Sequence, residues 1–343
     1  MVRYEIRGAS PGDEPELLRL AGFLDTVNLP NHRGHVERLV ELATRSFSGK
    51  LKELRHRKYV FVLWDLEERC AVGTSMIVAQ LGRRDAPYIY LDVISEEKYS
   101  APLDKYFQHT VLKIGFSYHG PTEIGGLVVN PSYRRASERL GLMISYVRFL
   151  FIAAHRELFQ NEILAELLPP LEPDGTSHLW EALGRRFTGM SYAEADLLSS
   201  ENKSFIRDLF PTGDIYATLL SPGAQGVIGK VGAQTRGVEK MLRRIGFRYA
   251  ERVDPFDGGP HFVAPVEEIS LVRATARARL AGAVSPGDST ANALVARELG
   301  EAPWLRAITA PCALERDGRV RLPEEAILHL GLAEGDALLV LPL

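Results

Sequence analysis

Three arginines stand in a short polar loop between a predicted strand and a predicted helix, an arrangement that can bind phosphate. Arg134, Arg135 and Arg139 follow a β-branched run at 124–129 and precede an apolar helical stripe that starts near Leu142. Backbone N–H groups are open at a helix start, and the helix dipole adds positive potential there. The loop therefore predicts a pyrophosphate site. An ordinary strand–helix unit with surface arginines is the alternative.

Two adjacent glycines interrupt the strand in front of this loop. Gly125 and Gly126 stand inside the run 124–129, and Asn130-Pro131 ends it. Glycine within a strand marks a bulge or the close approach of a ligand to the backbone. The stretch therefore predicts one of these two features just before the arginine loop.

Composition narrows the class of protein. The chain has 343 residues and a net charge of −3, so it can form two or three domains, and its charge favours neither nucleic acid nor an anionic membrane. Cys70 and Cys312 make no disulfide framework and fit a reducing cytoplasm. The opening residues, 2–6, are strand-like rather than a secretory signal, and no apolar run is long enough to span a membrane. We predict a cytoplasmic enzyme that does not contact membranes.

The order of predicted elements indicates an α+β fold, because two helices and an antiparallel meander precede the strand, loop and helix described above. The predicted strands are 2–7, 59–64, 71–81 and 88–94, and the predicted early helices are 14–21 and 35–46. Residues 161–168 are predicted to be a strand or an extended arm. A later helix at 235–245 ends Arg-Arg-Ile-Gly-Phe and echoes a helix at 176–187 that ends Leu-Gly-Arg-Arg-Phe. Both are followed by acidic, strand-like segments. The echo suggests a repeat of half a domain, with coincidence as the alternative.

Changes in composition divide the chain into four parts. Residues 1–198 form the predicted main domain and 199–273 a second half domain. The stretch 274–302 is rich in Ala, Arg, Gly, Ser and Pro and is predicted to be a linker. Residues 303–343 form a compact β-α-β module with a hairpin-type turn at Asp317-Gly318.

Several phrases in residues 1–273 occur in the order found in one enzyme family. They are Tyr59-Val60-Phe61-Val62-Leu63, Val72-Gly73-Thr74-Ser75, Asn130-Pro131-Ser132-Tyr133-Arg134, Leu179-Trp180-Glu181-Ala182-Leu183-Gly184 and Phe256-Asp257-Gly258-Gly259-Pro260. The chain resembles the arginine N-succinyltransferases, within the Gcn5-related N-acyltransferases. The resemblance implies a mixed, mainly antiparallel sheet flanked by helices, with 199–273 as a second acyltransferase-like half domain. It implies succinyl transfer from succinyl-CoA to the α-amine of L-arginine in arginine catabolism, without a metal.

The resemblance also implies which residues bind the acyl-CoA. In this superfamily the pantetheine lies along the central strand, whose backbone N–H groups stabilise the oxyanion, and the loop after it holds the pyrophosphate. The residues implied are Leu127, Val128, Val129, Arg134, Arg135, Arg139 and Gly141.

Two residues before the central strand are candidates for proton transfer. His119 and Glu123 have the residue types that the family has at the matching places. Our hypothesis is that Glu123 removes the amine proton through water, because a free α-amine is mostly protonated at neutral pH, and that His119 assists it. In the alternative, His119 caps a loop and Glu123 pairs with an arginine.

Acceptor recognition needs groups that bind a guanidinium and a carboxylate. The loop residues that the family match places near the acceptor are Asn28, Asn31 and His32. Asp257 is the predicted guanidinium ligand, with Asp92 and Asp196 as other carboxylates that could take this part. The alternative for these acids is a cap or a tight turn.

The last forty residues resemble a different family. Asp317-Gly318-Arg319-Val320-Arg321-Leu322-Pro323 with Glu334-Gly335-Asp336 resembles the AbrB-type swapped hairpin, which dimerises and in many proteins binds DNA. Residues 311–343 carry six acids and three arginines, a balance that opposes phosphate binding. We therefore predict a homodimer through this module, with DNA binding as the alternative. The apolar residues that a twin subunit would cover are Val320, Leu322, Ile327, Leu330 and Leu338.

Two further functions stay open from the sequence. One is an acyltransferase of the same fold that uses another acyl-CoA or another amine. The other is a non-enzymatic sensor of CoA or arginine with a DNA-binding tail, which the unusual tail and a phosphate loop with one glycine, Gly141, would fit.

Overall fold

The computed structural model describes residues 2–23, 29, 31–199, 202–285, 288, 290–315 and 317–343. Its elements are, in chain order, β1 (Tyr4–Gly8), α1 (Glu14–Ala21), α2 (Arg33–Phe47), β2 (Lys58–Asp65), β3 (Cys70–Val78), β4 (Tyr88–Ser100), β5 (Lys105–Ser117), β6 (Thr122–Val129), α3 (Leu140–Ala154), β7 (Glu162–Glu166), α4 (His178–Ala182), α5 (Gly184–Thr188), α6 (Tyr192–Ser199), α7 (Ser204–Leu209), β8 (Ile215–Tyr216), α8 (Pro222–Val227), α9 (Arg236–Ile245), β9 (Arg248–Val253), β10 (Pro260–Pro265), α10 (Ser270–Ala274), β11 (Ala276–Ala283), β12 (Ala291–Glu298), β13 (Leu305–Leu314), β14 (Arg319–Leu322), α11 (Glu324–Leu330) and β15 (Ala337–Pro342). The α+β prediction is confirmed.

The chain forms two compact units. The first comprises Met1–Gln80, Ile124–Asn161 and Val266–Leu343, and the second comprises Leu81–Glu123 and Glu162–Pro265. The chain passes from the second unit to the first inside strand β6. Within the described ranges, no helix is both long enough and apolar enough to cross a membrane.

The first unit contains an antiparallel sheet covered by helices. Strand β1 pairs with β2, β2 pairs with β3, and β6 lies beside β3. Helices α1 and α2 place their apolar faces on this sheet, where Leu17, Leu20 and Leu39 pack with Val60 and Met76. Helix α3 is apolar around most of its circumference, as expected of a buried helix, and its Phe151 packs against aromatic rings of β2. This packing fixes the position of the arginine loop at the start of α3.

The C-terminal strands of the first unit close into a ring. Strand β12 pairs with both β13 and β15, β15 pairs with β11, β11 with β14, and β14 with β13. Strands β11 and β12 lie in the stretch predicted to be a linker, so that prediction was wrong for 276–283 and 291–298. Alanine and arginine are weak strand formers, but alternate residues of both strands point into the ring and are buried there.

This ring changes the interpretation of the tail. Val320, Leu322, Leu330 and Leu338 are buried against other strands of the same chain, and Ile327 packs against that core. The premise that a twin subunit must cover them was therefore wrong. The ring is also joined to β1, because Ile6 pairs with Ala307 and the buried Glu5 carboxylate accepts hydrogen bonds from Arg306 Nε at 2.9 Å and Nη2 at 2.6 Å.

Removal of the tail is expected to destabilise the first unit. A chain ending at Glu301 loses β13, so β1 loses its neighbour on one side and Glu5 loses its ion pair with Arg306. The apolar residues that the ring buries against the rest of the first unit are lost with it. We expect a lower midpoint of thermal unfolding by circular dichroism, or aggregation. A truncated protein with the full-length midpoint would contradict this role of the tail.

The second unit is a sheet in the order β7-β10-β9-β4-β5-β8, with the first residues of β6 beside β7. Strands β4 and β5 form a thirteen-residue antiparallel hairpin from Tyr88 and Ser117 to Ser100 and Lys105, of which the sequence predicted only the first half of β4. Leu183 separates α4 from α5, and Trp180 is fully buried in the core against Phe256.

The two segments proposed to be a repeat differ in the structure. The first, which was expected to be one helix at 176–187, forms α4 and α5. Helix α6 follows it, where a strand was predicted. The second forms the single helix α9 and is followed by strand β9, as predicted. The prediction of an acidic strand after the first segment was therefore wrong.

Candidate active site

The arginine loop of the first unit lies at the start of α3. A short 3₁₀ turn at Pro131–Tyr133 follows β6, and Arg139 takes a left-handed backbone conformation directly before the helix. Leu142 and Met143 are the first amides bonded back to the Arg139 carbonyl, so the amides of Leu140 and Gly141 belong to the open helix start. A β-carbon at Gly141 would meet no atom within 4 Å. This helix start is open to an anion.

The three arginines of the loop differ in their surroundings. All are exposed, but the Nε of Arg134 donates to the carbonyl of Val129 at 3.1 Å and so braces the end of β6. Arg135 and Arg139 carry no hydrogen bond to another described residue through their side chains. They are therefore the two arginines whose side chains are available to a ligand.

Strand β6 is broken at the predicted glycines. Gly126 has a φ of +54°, which a residue with a side chain adopts only under strain, and a β-carbon there would lie 2.7 Å from Met76 Cε. Gly125, Gly126 and Leu127 are half-buried between fully buried residues on either side. Within β6, the residues at this break are therefore the least buried.

The second unit contains a cluster of carboxylates, built by strand register. In the parallel pair β6–β7, Glu123 lies opposite Leu164, and in the antiparallel pair β7–β10, Glu166 lies opposite His261. Because side chains alternate along a strand, Glu123, Glu166 and His261 share one face of the sheet. Three strands therefore bring two acids and an imidazole together.

Two further acids come from the turn between β9 and β10. Asp254 Oδ1 accepts from the amide of Phe256 at 2.7 Å, and Asp257 Oδ1 accepts from the amide of Gly259 at 2.7 Å. Gly259 has no room for a side chain, since a β-carbon would lie 2.4 Å from the Leu167 carbonyl oxygen. The turn that was the alternative to a ligand role for Asp257 is present, and it holds both carboxylates in place.

The four acids form one electrostatic group. Burial, then the charges of Glu123 and Asp254, raise the pKa of Glu166 well above its ordinary value. Burial, then the charge of Asp254, likewise raise the pKa of Asp257 well above its ordinary value. Burial also raises the pKa of Asp254, against the opposing charge of Lys203. Several carboxylates that lie close together and are largely buried favour a cation as ligand.

His261 is fully buried beside this group. Its Nδ1 lies 2.9 Å from the Tyr88 hydroxyl, while its Nε2 lies 3.5 Å from Glu166 Oε1 and makes no hydrogen bond with any described residue. Burial, with help from the charges of Lys203 and Arg252, lowers the pKa of His261 to about 3. The imidazole is therefore neutral at physiological pH, and one ring nitrogen faces the carboxylates without a partner of its own.

The same atoms have the donor chemistry of a metal site. Glu166, Asp254 and His261 offer ligand atoms within 4.8 Å of one another. Two carboxylates and an imidazole suit a divalent transition metal. A metal ion is thus the inorganic alternative to an organic cation at this cluster.

The structure brings together two of the predicted site residues in the second unit and leaves a third apart. Glu123 and Asp257 both belong to the carboxylate cluster and are 6% and 7% exposed. His119 is exposed in the bend before β6, and its imidazole has no hydrogen bond within the described chain. Asp92 is paired with Arg252 at 3.0 Å, and Asp196 lies near enough to Asp257 to raise its pKa.

The predicted acceptor residues of the first unit precede helix α2. Asn28 lies outside the described residues. Asn31 is exposed, and His32 caps α2 through its carbonyl, which accepts from the amides of His35 and Val36. The backbone of His32 therefore caps the start of α2.

The sequence did not single out Glu166, Asp254, His261 and Tyr88. Glu166 and His261 become neighbours only through the register of β7 and β10, which no local pattern specifies. The sequence Asp254-Pro255-Phe256-Asp257 could have predicted part of the cluster. Two acids in one turn before a strand lie close together.

Comparison with known proteins places these features in a family. The model of the family described as arginine N-succinyltransferase beta subunit matches residues 4–271. The arginine N-succinyltransferase of Yersinia pestis (strain Pestoides F) is 31% identical over 348 aligned positions, which cover 99% of this chain and 97% of the relative. That of Enterobacter sp. (strain 638) is 34% identical over 297 positions, 85% of each chain.

A solved structure agrees with the sequence relatives. The arginine/ornithine succinyltransferase subunit AI from Pseudomonas aeruginosa is 25% identical, with a TM-score of 0.84, over 100% of this chain and 99% of its own. The match includes the C-terminal ring as well as the part with the arginine loop and the carboxylate cluster. The chain belongs to the arginine N-succinyltransferase family.

Proposed function

We propose that this protein transfers the succinyl group of succinyl-CoA to the α-amine of L-arginine. Family membership supports the reaction, and the carboxylate cluster of Glu123, Glu166, Asp254 and Asp257 is the single structural observation that supports a cationic amino acid as the acceptor. Amide formation from a thioester requires a neutral amine, a stabilised oxyanion and two reactants held together. Glu123 would serve the first requirement and backbone N–H groups of β6 the second.

The donor is bound through β6 and the start of α3. Backbone N–H groups of Leu127, Val128 and Val129 would bind the pantetheine and the oxyanion, because the break at Gly126 opens the strand there. Arg135, Arg139 and the amide of Gly141 would hold the pyrophosphate, and Arg134 would support them by bracing the strand end. These assignments extend the Gcn5-related acyltransferase mode of binding to this chain.

The acceptor is bound through the carboxylate cluster. Asp257, Glu166 and Asp254 would take the cationic end of the side chain, and Glu123 would accept the α-amine proton directly or through water. His119, which is exposed, would act only as an auxiliary contact to the acceptor.

A panel of acyl-CoA donors against amino acids tests the proposal. Free thiol release is measured with succinyl-, acetyl- and butyryl-CoA and with arginine, ornithine, glutamine or norleucine as acceptor. We expect the highest kcat/KM for succinyl-CoA with a cationic acceptor. Equal rates with norleucine would contradict the acceptor assignment, and duplex DNA binding at low salt without any thiol release would favour the sensor function.

The phosphate loop gives a further prediction. Replacement of Arg135 and Arg139 together by alanine removes two charge-assisted contacts, so the dissociation constant for CoA should rise about 10–100-fold. The matched control is Arg185→Ala, an exposed arginine paired with Glu181. Isothermal titration calorimetry measures both, and an unchanged dissociation constant in the double variant would remove the loop from the site.

A further inference from the structure

Helix α3 carries an arginine in the interior of the first unit. Arg148 lies in the middle of the helix and is 2% exposed. Its Nε donates to the carbonyl of Ser145 at 3.1 Å, its Nη2 to the Ser145 hydroxyl at 2.7 Å, and its Nη1 to the carbonyl of Gly125 at 3.5 Å. All three partners are neutral oxygens.

No carboxylate accompanies this charge among the residues that the structure describes. Burial lowers the pKa of Arg148 to about 9, and no neighbouring acid raises it again. The guanidinium is therefore still protonated at neutral pH. Arginine is almost never fully buried unless it is paired, because an isolated buried charge costs several kcal/mol of solvation. A buried arginine without a carboxylate partner is suited to bind an anionic group of a ligand.

The position of the guanidinium indicates where that anion would enter. Nη1 reaches the carbonyl of Gly125, the residue before the left-handed Gly126, and this is the half-buried stretch of β6. A hydrogen bond of 3.5 Å is long, so this N–H is the donor most easily turned to a better acceptor. An anion bound at this stretch of β6 would lie beside Nη1 of Arg148.

The geometry points to Arg148 as the binding site for the distal carboxylate of the acyl group, which makes it the residue that selects a dicarboxylic acyl donor. The inference rests on the proposed function, because it assumes that the acyl chain of the donor lies at the break in β6. Succinyl carries one carboxylate at the end of a four-carbon chain. A guanidinium binds such a group with two parallel hydrogen bonds, and the pairing offsets the solvation that both charges lose.

The arginine loop does not compete for this role. Arg135 and Arg139 are exposed to solvent at the start of α3, whereas Arg148 lies more than two turns further along the helix. The exposed charges suit a highly charged pyrophosphate that remains partly hydrated. The buried charge suits a single carboxylate that has left water.

A pair of donors of equal chain length tests the inference. Butyryl-CoA has the same four carbons as succinyl-CoA but lacks the carboxylate. In Arg148→Met, which keeps the length and removes the charge, kcat/KM for succinyl-CoA should fall at least 100-fold, while kcat/KM for butyryl-CoA should stay within a few-fold. Arg148→Lys should retain part of the preference for succinyl-CoA. An unchanged ratio of the two donors in Arg148→Met would overturn the inference.

A binding measurement on the unaltered protein makes the test independent of whether the variants fold. Two thioether analogues of CoA that cannot react, one with a carboxypropyl and one with a butyl chain, are titrated by calorimetry. The carboxypropyl analogue should bind at least 10-fold more tightly, and equal affinities would refute the carboxylate site. If the protein transfers no succinyl to arginine yet prefers the carboxypropyl analogue, the proposed reaction fails while the anion site stands.

Discussion

Replacement of Glu123 by glutamine is expected to lower kcat for acyl transfer to L-arginine by about 10²–10⁴-fold, the usual contribution of a general base. Glutamine keeps the shape of the side chain and cannot accept the amine proton. The loss should shrink as the pH rises, since a larger fraction of the α-amine is then free without a base. Stopped thiol-release assays between neutral and alkaline pH measure both effects.

The control for this variant is a nearby glutamate outside the cluster. Glu162 is exposed at the first position of β7, so Glu162→Gln changes the net charge equally without touching the cluster. It should keep the rate of the unaltered enzyme. Full activity of Glu123→Gln at neutral pH, with an unchanged pH profile, would show that Glu123 is not the base.

Replacement of Asp257 by asparagine, or of Glu166 by glutamine, should weaken L-arginine binding about 10–100-fold. Each substitution removes a negative charge that would bind the cationic end of arginine in a site with little water. Their pKa values are raised, so part of the cluster is protonated in the free protein. Arginine binding should therefore release protons and tighten as the pH rises toward the raised pKa values of these two acids. Calorimetry in two buffers of different ionisation enthalpy measures the release.

The same substitutions should stabilise the protein without ligand. An acid with a raised pKa in the folded state binds more protons there than in the unfolded chain, so its contribution to stability falls as the pH rises through that interval. Glu166→Gln removes this cost and should raise the midpoint of thermal unfolding at pH 7. Asp208→Asn, at an exposed aspartate paired with Arg207, should change neither property. Stabilisation by Mn²⁺ or Zn²⁺ that is lost in Glu166→Gln, with unaltered arginine binding, would assign the cluster to a metal.

The sequence predicted what local patterns determine. The glycine break in β6, the arginine loop and the helix after it follow from glycine, proline and apolar periodicity within forty residues, and the structure contains all three. The carboxylate cluster needed information that is not local. Glu166 and His261 are 95 positions apart and meet only because β7 pairs with β10 in one register.

In the C-terminal strands, weak local patterns hid elements that are present in the structure. Alanine and arginine alternate at the start of β11, and β12 contains three alanines and one β-branched residue, Val295, so the stretch has few of the residues that predict strands. These strands form because each is paired on both sides in the ring, and tertiary pairing outweighs weak local preference. The apolar residues at 320–340 then need no second subunit to be buried.

Identification of the reaction product tests the central claim most directly. The protein is incubated with succinyl-CoA and L-arginine, and the product is examined by mass spectrometry and two-dimensional NMR. If the carboxylate cluster holds the guanidinium, the succinyl group must be on the α-nitrogen alone. A succinyl group on a guanidinium nitrogen, or thiol release without any arginine adduct, would contradict the account.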